Sequence, residues 1–402
     1  MRIFFKKVDF LDITGIICEY NPLHLGHKKQ IDLLRTQFPE GGIVCLMSGN
    51  FVQRGQPAIF HKSVRAQAAI KSGADLVLEL PVTAALSSAE GFASEGVRIL
   101  GSFCNRLCFG AENAESDQLI AVARALLAPE FSEHLAGALE TGVSFPAARQ
   151  LALENMGVNA GILGQPNNIL GVEYCKAILA QNSPMTPLPI LRQGDYHDGQ
   201  ADLENPSATA VRNLMVTRQA WDNFVPETAR ECFIGADVHT LAAGERAILT
   251  RLRTMTEEEF EALPYGSEGL WRKLMHAVRK EATLEGILTA VKSKRYTRTR
   301  LDRMVMCAFL GITKEMLEAS APYARVLAFN HKGREILKHA RQLGDFPNIG
   351  QKLGHPYEAV ENRAGTLYGL FSTGTVGAPD AEENCRVYYG KQEIATDLRS
   401  SQ

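Results

Sequence analysis

No stretch of this 402-residue sequence stays apolar for the roughly 20 residues that a membrane-spanning helix requires. The opening Met1–Lys7 mixes charge with apolar residues. Asp9 and Asp12 interrupt it and no small-residue cleavage site follows, so it reads as a first strand or a short extension of a cytoplasmic protein. Net charge is also missing: 43 Lys and Arg stand against 45 Asp and Glu, so a nucleic acid would have to be met by a local basic patch. Of eight scattered cysteines only Cys104 and Cys108 are close, and no second pair completes a zinc site. Several lie in apolar runs and read as small hydrophobes, so no metal ligand is assigned. A G-x-x-x-x-G-K-[ST] loop is absent, which closes one route to phosphate binding. There is neither an internal repeat nor a low-complexity tract, and the length allows two or three domains.

What is present is an alternation of short apolar runs with helical stretches from about 15 to 191. Strands are expected at Ile16–Cys18, Gly42–Met47, Asp75–Leu80, Arg106–Phe109 and Leu188–Leu191, with helices at His27–Thr36, Lys62–Ser72 and Glu90–Leu100. Residues 116–157 read as a helical insertion. The pattern predicts an α/β fold, a doubly wound parallel sheet of Rossmann-like type. Beyond about Pro226 strand signals fade and helices dominate. A boundary is therefore placed near 225, between a nucleotide-binding domain (1–225) and a helical domain (226–402).

The segment Glu19-Tyr20-Asn21-Pro22-Leu23-His24-Leu25-Gly26-His27 carries the most chemistry. It reads as a strand end, a Pro-containing turn and a helix whose first turn holds two histidines around a glycine. Gly26 lets the backbone approach a ligand, and the helix N-terminus offers unpaired N–H groups and the positive end of its dipole. Two imidazoles there can donate to phosphate oxygens as charge shifts during displacement. Tyr20 and Asn21 shape the turn. In such sheets ligands bind beyond the carboxyl ends of strands, so this turn, Ser48-Gly49-Asn50 and Gly110-Ala111-Glu112-Asn113 should converge on one crevice.

The Glu19–His27 motif resembles that of the HIGH nucleotidyltransferase superfamily. Four further blocks, Met47–Gly55, Pro166–Gly171, Asp195–Asp198 and Ser207–Arg212, resemble the bacterial tRNA(Met) cytidine acetate ligases, and the likeness extends to Lys294–Leu301. It implies a reaction in which acetate attacks the α-phosphate of ATP. The acetyl group then passes to N4 of the wobble cytidine of elongator tRNA(Met), giving N4-acetylcytidine, with Mg2+ accompanying ATP. It implies catalytic roles for His24, His27 and Arg212. ATP contacts would come from Ile17, Glu19, Asn21, Gly26, Lys28, Gly110, Asn167, Asn168, Arg192, Ser207 and Thr209. The residues themselves leave alternatives: Ser207 is also a plausible N-cap, and Asn167-Asn168 could serve as turn and cap chemistry. The sequence departs from the family pattern at Pro22-Leu23-His24-Leu25 and carries about ten extra N-terminal residues; neither touches the phosphate-binding groups.

Lys292, Lys294, Arg295, Arg298, Arg300 and Arg303 form the densest basic run, with Tyr296 placed to stack on a base. Such a run is usually a solvated face. With the resemblance, Lys294, Arg295, Arg298 and Arg300 become expected tRNA contacts. Lys62 and Arg65 read as surface or substrate-facing, and Asp195, His197 and Asp198 stay unassigned. Two other readings remain open: a small-molecule adenylyltransferase of cofactor biosynthesis, and a non-catalytic nucleotide or RNA binder.

Overall fold

The computed structural model describes residues 11–143, 145–192, 206–293, 295–321, 323–343, 356–376 and 387–390. Its strands are β1 (Ile13–Cys18), β2 (Gly42–Ser48), a hairpin of β3 (Phe51–Val52) and β4 (Gln56–Pro57), β5 (Leu76–Leu80), β6 (Arg106–Ala111), β7 (Thr186–Leu191), β8 (Arg325–Phe329) and β9 (Tyr388–Tyr389). Outside the hairpin the described strands form one sheet in the order β7-β6-β1-β2-β5-β8-β9. The run β7-β6-β1-β2-β5 is parallel, with Ile13 opposite Gly42 and Thr14 opposite Arg106. The chain leaves β1 toward β2 and β5, then returns to β6 on the other side. The switch point, where an open sheet parts its loops, therefore lies between β1 and β6.

Every residue of β1, β2 and β5 is buried, as suits parallel strands covered on both faces. One face carries α4 (Ala89–Leu100) and α8 (Pro166–Ala180), which bring Val97, Leu100, Val172 and Ile178 onto Ile17 and Leu46. The other carries α1 (Leu25–Gln37), α2 (Lys62–Lys71) and α9 (Ala208–Val216), whose Ile31, Leu34, Ala69 and Val211 meet Ile16 and Cys45. Between β5 and α4 sits the short α3 (Val82–Ala85), and α5 (Ser116–Leu127), α6 (Pro129–Glu140) and α7 (Phe145–Asn155) occupy the expected helical stretch.

Beyond α10 (Glu227–Phe233), a further core forms among α11 (Leu241–Thr254), α12 (Glu257–Glu261), α13 (Leu270–Lys280), α14 (Leu284–Val291) and α15 (Arg298–Leu310). After α16 (Lys314–Glu318) the chain comes back to the sheet. β8 pairs antiparallel with β5, and α17 (His331–Leu343) places Ile336 in the core beside β2; α18 (Pro356–Tyr368) follows. Five residues between polar flanks carry too little periodicity to announce such a strand. The sheet is thus not wholly parallel, and it draws two strands from the mainly helical stretch.

Two charged residues read as surface or substrate-facing are core residues. The Lys62 ammonium lies 2.8 Å from Glu79 Oε1, and Arg325 of β8 approaches the same carboxylate at 3.5 Å. Arg65 is fully buried and donates to the carbonyls of Glu19 (2.6 Å), Phe60 (2.9 Å), Ser48 (3.1 Å) and Gly49. Buried charges persist where paired or hydrogen-bonded, and these partners come from distant segments. Arg65 ties the ends of β1 and β2 together directly beneath the crevice.

Candidate active site

At the carboxyl ends of β1 and β6 opens a cavity of about 650 Å³. Its floor begins where β1 stops. Tyr20 adopts a left-handed backbone (φ 43°), and its buried ring is anchored by a contact between the hydroxyl and Cys45 Sγ at 3.4 Å. Asn21 is buried, its Oδ1 accepting from Ile59 N at 2.7 Å, so the turn is fastened to the loop before α2.

His24 then caps α1. Its Nδ1 accepts from Gly26 N at 3.1 Å, while His27 Nδ1 accepts from His24 N at 3.2 Å, a reciprocal capping box built from two imidazoles. The acceptor role of each Nδ1 assigns the ring proton to Nε2. Burial, then His27 and the Arg192 and Arg212 charges, pushes His24 well below its ordinary value. Burial, and to a lesser extent Arg192, lowers His27 to about 3. Both rings are therefore neutral Nε2–H donors near pH 7, with centroids 3.8 Å apart and planes tilted by 30°. A Cβ at position 26 would meet the His24 ring at 3.0 Å, which is why glycine sits between them.

Arg212 arrives from α9. Its Nη1 donates to Asn21 O at 2.6 Å and its Nη2 to Thr209 Oγ1 at 3.0 Å, while Ser207 Oγ caps the helix by accepting from Ala210 N at 3.1 Å. Ser207 is thus a cap that also lines the cavity. Arg192, just past β7, donates to Asn167 Oδ1 at 3.3 Å, and Asn167 in turn donates to Glu112 Oε1 at 2.6 Å.

His24, His27 and Arg212 line this one cavity, together with Ile17, Glu19, Asn21, Gly26, Gly110, Asn167, Arg192, Ser207 and Thr209. Two expected contacts do not. Lys28 points along the outside of α1 to Asp32. The helical face that meets the cavity runs through Gly26, Lys29, Gln30 and Leu33, so the lysine on the wall is Lys29. Asn168 is buried behind the wall, where its Oδ1 accepts from Asn113 N at 2.8 Å and its own N–H donates to Glu112 at 2.8 Å. It braces the β6 turn. Sequence reading also missed Arg54 and Gln53 on the β3–β4 hairpin, Tyr174 of α8 and Thr299 of α15. Gly55 turns that hairpin at φ 73° with its α-carbon so close to Asp302 and Arg303 that a Cβ would fall 2.4 Å from Arg303 N.

The basic run is mostly engaged with the protein itself. Arg298 grips Glu285 through two bonds of 2.8 and 2.7 Å and reaches Asp302 at 2.8 Å. Arg300 donates to Tyr265 O (2.8 Å) and Ser267 Oγ (3.0 Å). Tyr296 is buried, its hydroxyl on Glu268 and its ring under the Arg300 guanidinium. Arg295 pairs with Glu268 at 2.7 Å and has a side chain 69% exposed. Lys294, Asp195, His197 and Asp198 lie outside the described residues. Among the described residues no cluster of His, Cys, Asp or Glu could hold a metal, and no helix is long and apolar enough to cross a membrane.

A mostly parallel sheet opening at its switch point onto two histidines and two arginines fits a nucleotidyltransferase of HIGH type. The family model for HIGH nucleotidyl transferases matches residues 11–375. The tRNA(Met) cytidine acetate ligase of Clostridium acetobutylicum is 34% identical over 372 residues, covering 87% of this chain and 92% of its own. That of Clostridium novyi is 37% identical over 360 residues, with 84% and 89% covered. The crystal structure of Thermotoga maritima TmcAL superimposes with a TM-score of 0.87 at 28% identity, covering 95% of this chain and all of that one. Its form bound with alpha-thio ATP gives 0.84. The chain belongs to the tRNA(Met) cytidine acetate ligase family of HIGH nucleotidyl transferases.

Proposed function

We propose that the protein joins acetate to tRNA at the expense of ATP. An acetate oxygen attacks the α-phosphorus of ATP, the bond to the β-phosphate breaks, and pyrophosphate leaves. The N4 amine of the wobble cytidine in elongator tRNA(Met) then takes the acetyl group from acetyl-adenylate, and AMP departs.

The observation that carries this reading is the pair of neutral imidazoles, each with its Nδ1 occupied, offering Nε2–H donors in a cavity shared with Arg192 and Arg212. Donors set in advance need no reorganisation as charge builds on the departing pyrophosphate, and each is worth about 3 kcal/mol. Arg212, held by Asn21 O and Thr209, meets the outer phosphates with its planar fork. Gly110 and Asn167 stand on the β6 side for adenosine. Any Mg2+ brought with ATP would supply counter-charge to the triphosphate, since no His, Cys, Asp or Glu cluster among the described residues offers it a site.

The residues beyond about 226 would receive the tRNA. Arg295 and Lys292 are exposed cations of the basic run, and Thr299 joins that run to the cavity wall. Lys294 belongs to the same stretch, while Arg298 and Arg300 hold its shape. The seven described cysteines are free thiols, which suits a reducing cytoplasm. Nucleoside analysis of tRNA incubated with the protein, ATP and labelled acetate should yield labelled N4-acetylcytidine and AMP. AMP-yielding chemistry only with pantetheine phosphate or nicotinamide mononucleotide would instead identify a cofactor adenylyltransferase.

A further inference from the structure

Among the described residues lining the cavity, four cations (Lys29, Arg54, Arg192 and Arg212) face a single carboxylate, Glu19. An acid is a poor neighbour for a triphosphate, so its placement calls for a ligand that donates protons. Glu19 closes β1, and its Oε1 accepts from Gln53 N on the hairpin at 2.9 Å. Its Oε2 makes no hydrogen bond among the described residues.

A second polar group near it is equally unmatched. Tyr174 is 2% exposed, lines the cavity, and its hydroxyl has no hydrogen-bond partner among the described residues. Burial, with smaller contributions from Cys18 and the Glu19 carboxylate, holds the phenol well above its ordinary value, so it stays an O–H donor. The walls here are Ile17, Phe92 and Phe109, the last ring packed 5.3 Å from that of Tyr174. A flat apolar slot with one acceptor and one donor complements a base edge that presents an amine beside a ring acceptor. Cytosine has such an edge, and bases drawn from their stack are read in this way, between apolar walls. The hairpin that holds Glu19 rests on α15, the helix that carries Arg298, Arg300 and Arg303 of the basic run, so this end of the cavity lies beside the proposed tRNA surface.

We propose that Glu19 is the proton acceptor for the acetyl transfer, with Tyr174 donating to the same base; this rests on the acetylation reading above. As the N4–carbon bond forms and the carbon–oxygen bond to AMP breaks, AMP leaves with that electron pair. The amine's proton passes to the Glu19 carboxylate and from there to water.

The test compares two nucleophiles for the same acetyl-adenylate. Hydroxylamine needs no base and traps it as acetohydroxamate; tRNA needs the base. Glu19→Gln keeps an oxygen for Gln53 N but cannot take a proton. Although Glu19 also stands among the expected ATP contacts, the loss of N4-acetylcytidine should exceed the loss of acetohydroxamate by about 30-fold or more, with Glu19→Asp recovering part of the difference. Equal losses in both assays would place Glu19 on ATP, whose adenine edge also pairs an amine with a ring acceptor, and would overturn the proposal. An unchanged acetylcytidine yield would overturn it too. Should Glu19→Gln not fold, Glu19→Asp is read by the same ratio. A wild-type protein that forms no acetohydroxamate strikes the acetylation reading itself, independently of Glu19.

Discussion

The Glu19–His27 turn and the Lys292–Arg303 run are both dense in polar side chains, yet they use them in opposite ways. In the turn, the hydrogen bonds that His24 and His27 make to the protein fall on Nδ1 and leave each Nε2–H for the cavity. In the basic run, the guanidinium groups themselves close onto Glu285, Asp302, Tyr265 and Glu268. Charge density says little about where a charge points. Reciprocal backbone geometry says a great deal, because it leaves only one end of the side chain available.

The contrast can be broken most forcefully from below the turn. Arg65→Met leaves the carbonyls of Glu19, Phe60, Ser48 and Gly49 without their donor, and should cost about 3 kcal/mol or more in urea unfolding. A loss as small as that of a surface pair would show that the turn does not depend on this buried hub.

Next comes the imidazole pair. His27→Ala should slow acetate-dependent pyrophosphate exchange by about 100-fold or more, since a pre-set donor facing the leaving group disappears. His27 also leaves a trace in stability. Its folded value is about 3 against an ordinary 6.5, so between those limits the unfolded chain binds a proton that the folded chain refuses. The contribution is complete above about pH 6.5 and is lost as pH falls toward 3. Melting temperatures measured from pH 7 to pH 4 should therefore fall less steeply for His27→Asn than for the unaltered protein.

The smallest effects sharpen the other side of the comparison. Arg298→Ala should cost about 1–2 kcal/mol, because Asp302, 7% exposed, loses its partner while the exposed Glu285 pair adds little. Arg295→Ala should change stability by less than about 1 kcal/mol, and should lower the slope of log affinity for tRNA against log salt by about 1. If Arg298→Ala reduced that slope and Arg295→Ala did not, the division between shape-holding and RNA-facing cations would be reversed.

Much of the site could be read without coordinates. The Rossmann-like alternation, the histidine turn and Arg212 carry local signatures: a strand end, a glycine, a capping position. Lys29 in place of Lys28 was within reach, since a helical face repeats every three or four residues from Gly26. Asn168 was not, because it does its work behind the wall, on the backbone of Asn113. Tyr174 was hidden in another way. It sits mid-helix in an apolar stretch that reads as core, and only the meeting of α8 with β6 brings it to the cavity wall.

By itself, the order of residues determined the five strands of the parallel half of the sheet and the histidine-bearing helix start. Each arises from periodicity and backbone chemistry acting within a few residues. Only the tertiary structure decided that Lys62 and Arg65 are buried, that β8 joins the sheet, and that the arginines of the basic run are largely paired. Those outcomes depend on partners up to hundreds of positions away, such as Arg325 for Glu79, and long-range pairing leaves no periodic mark on a single chain.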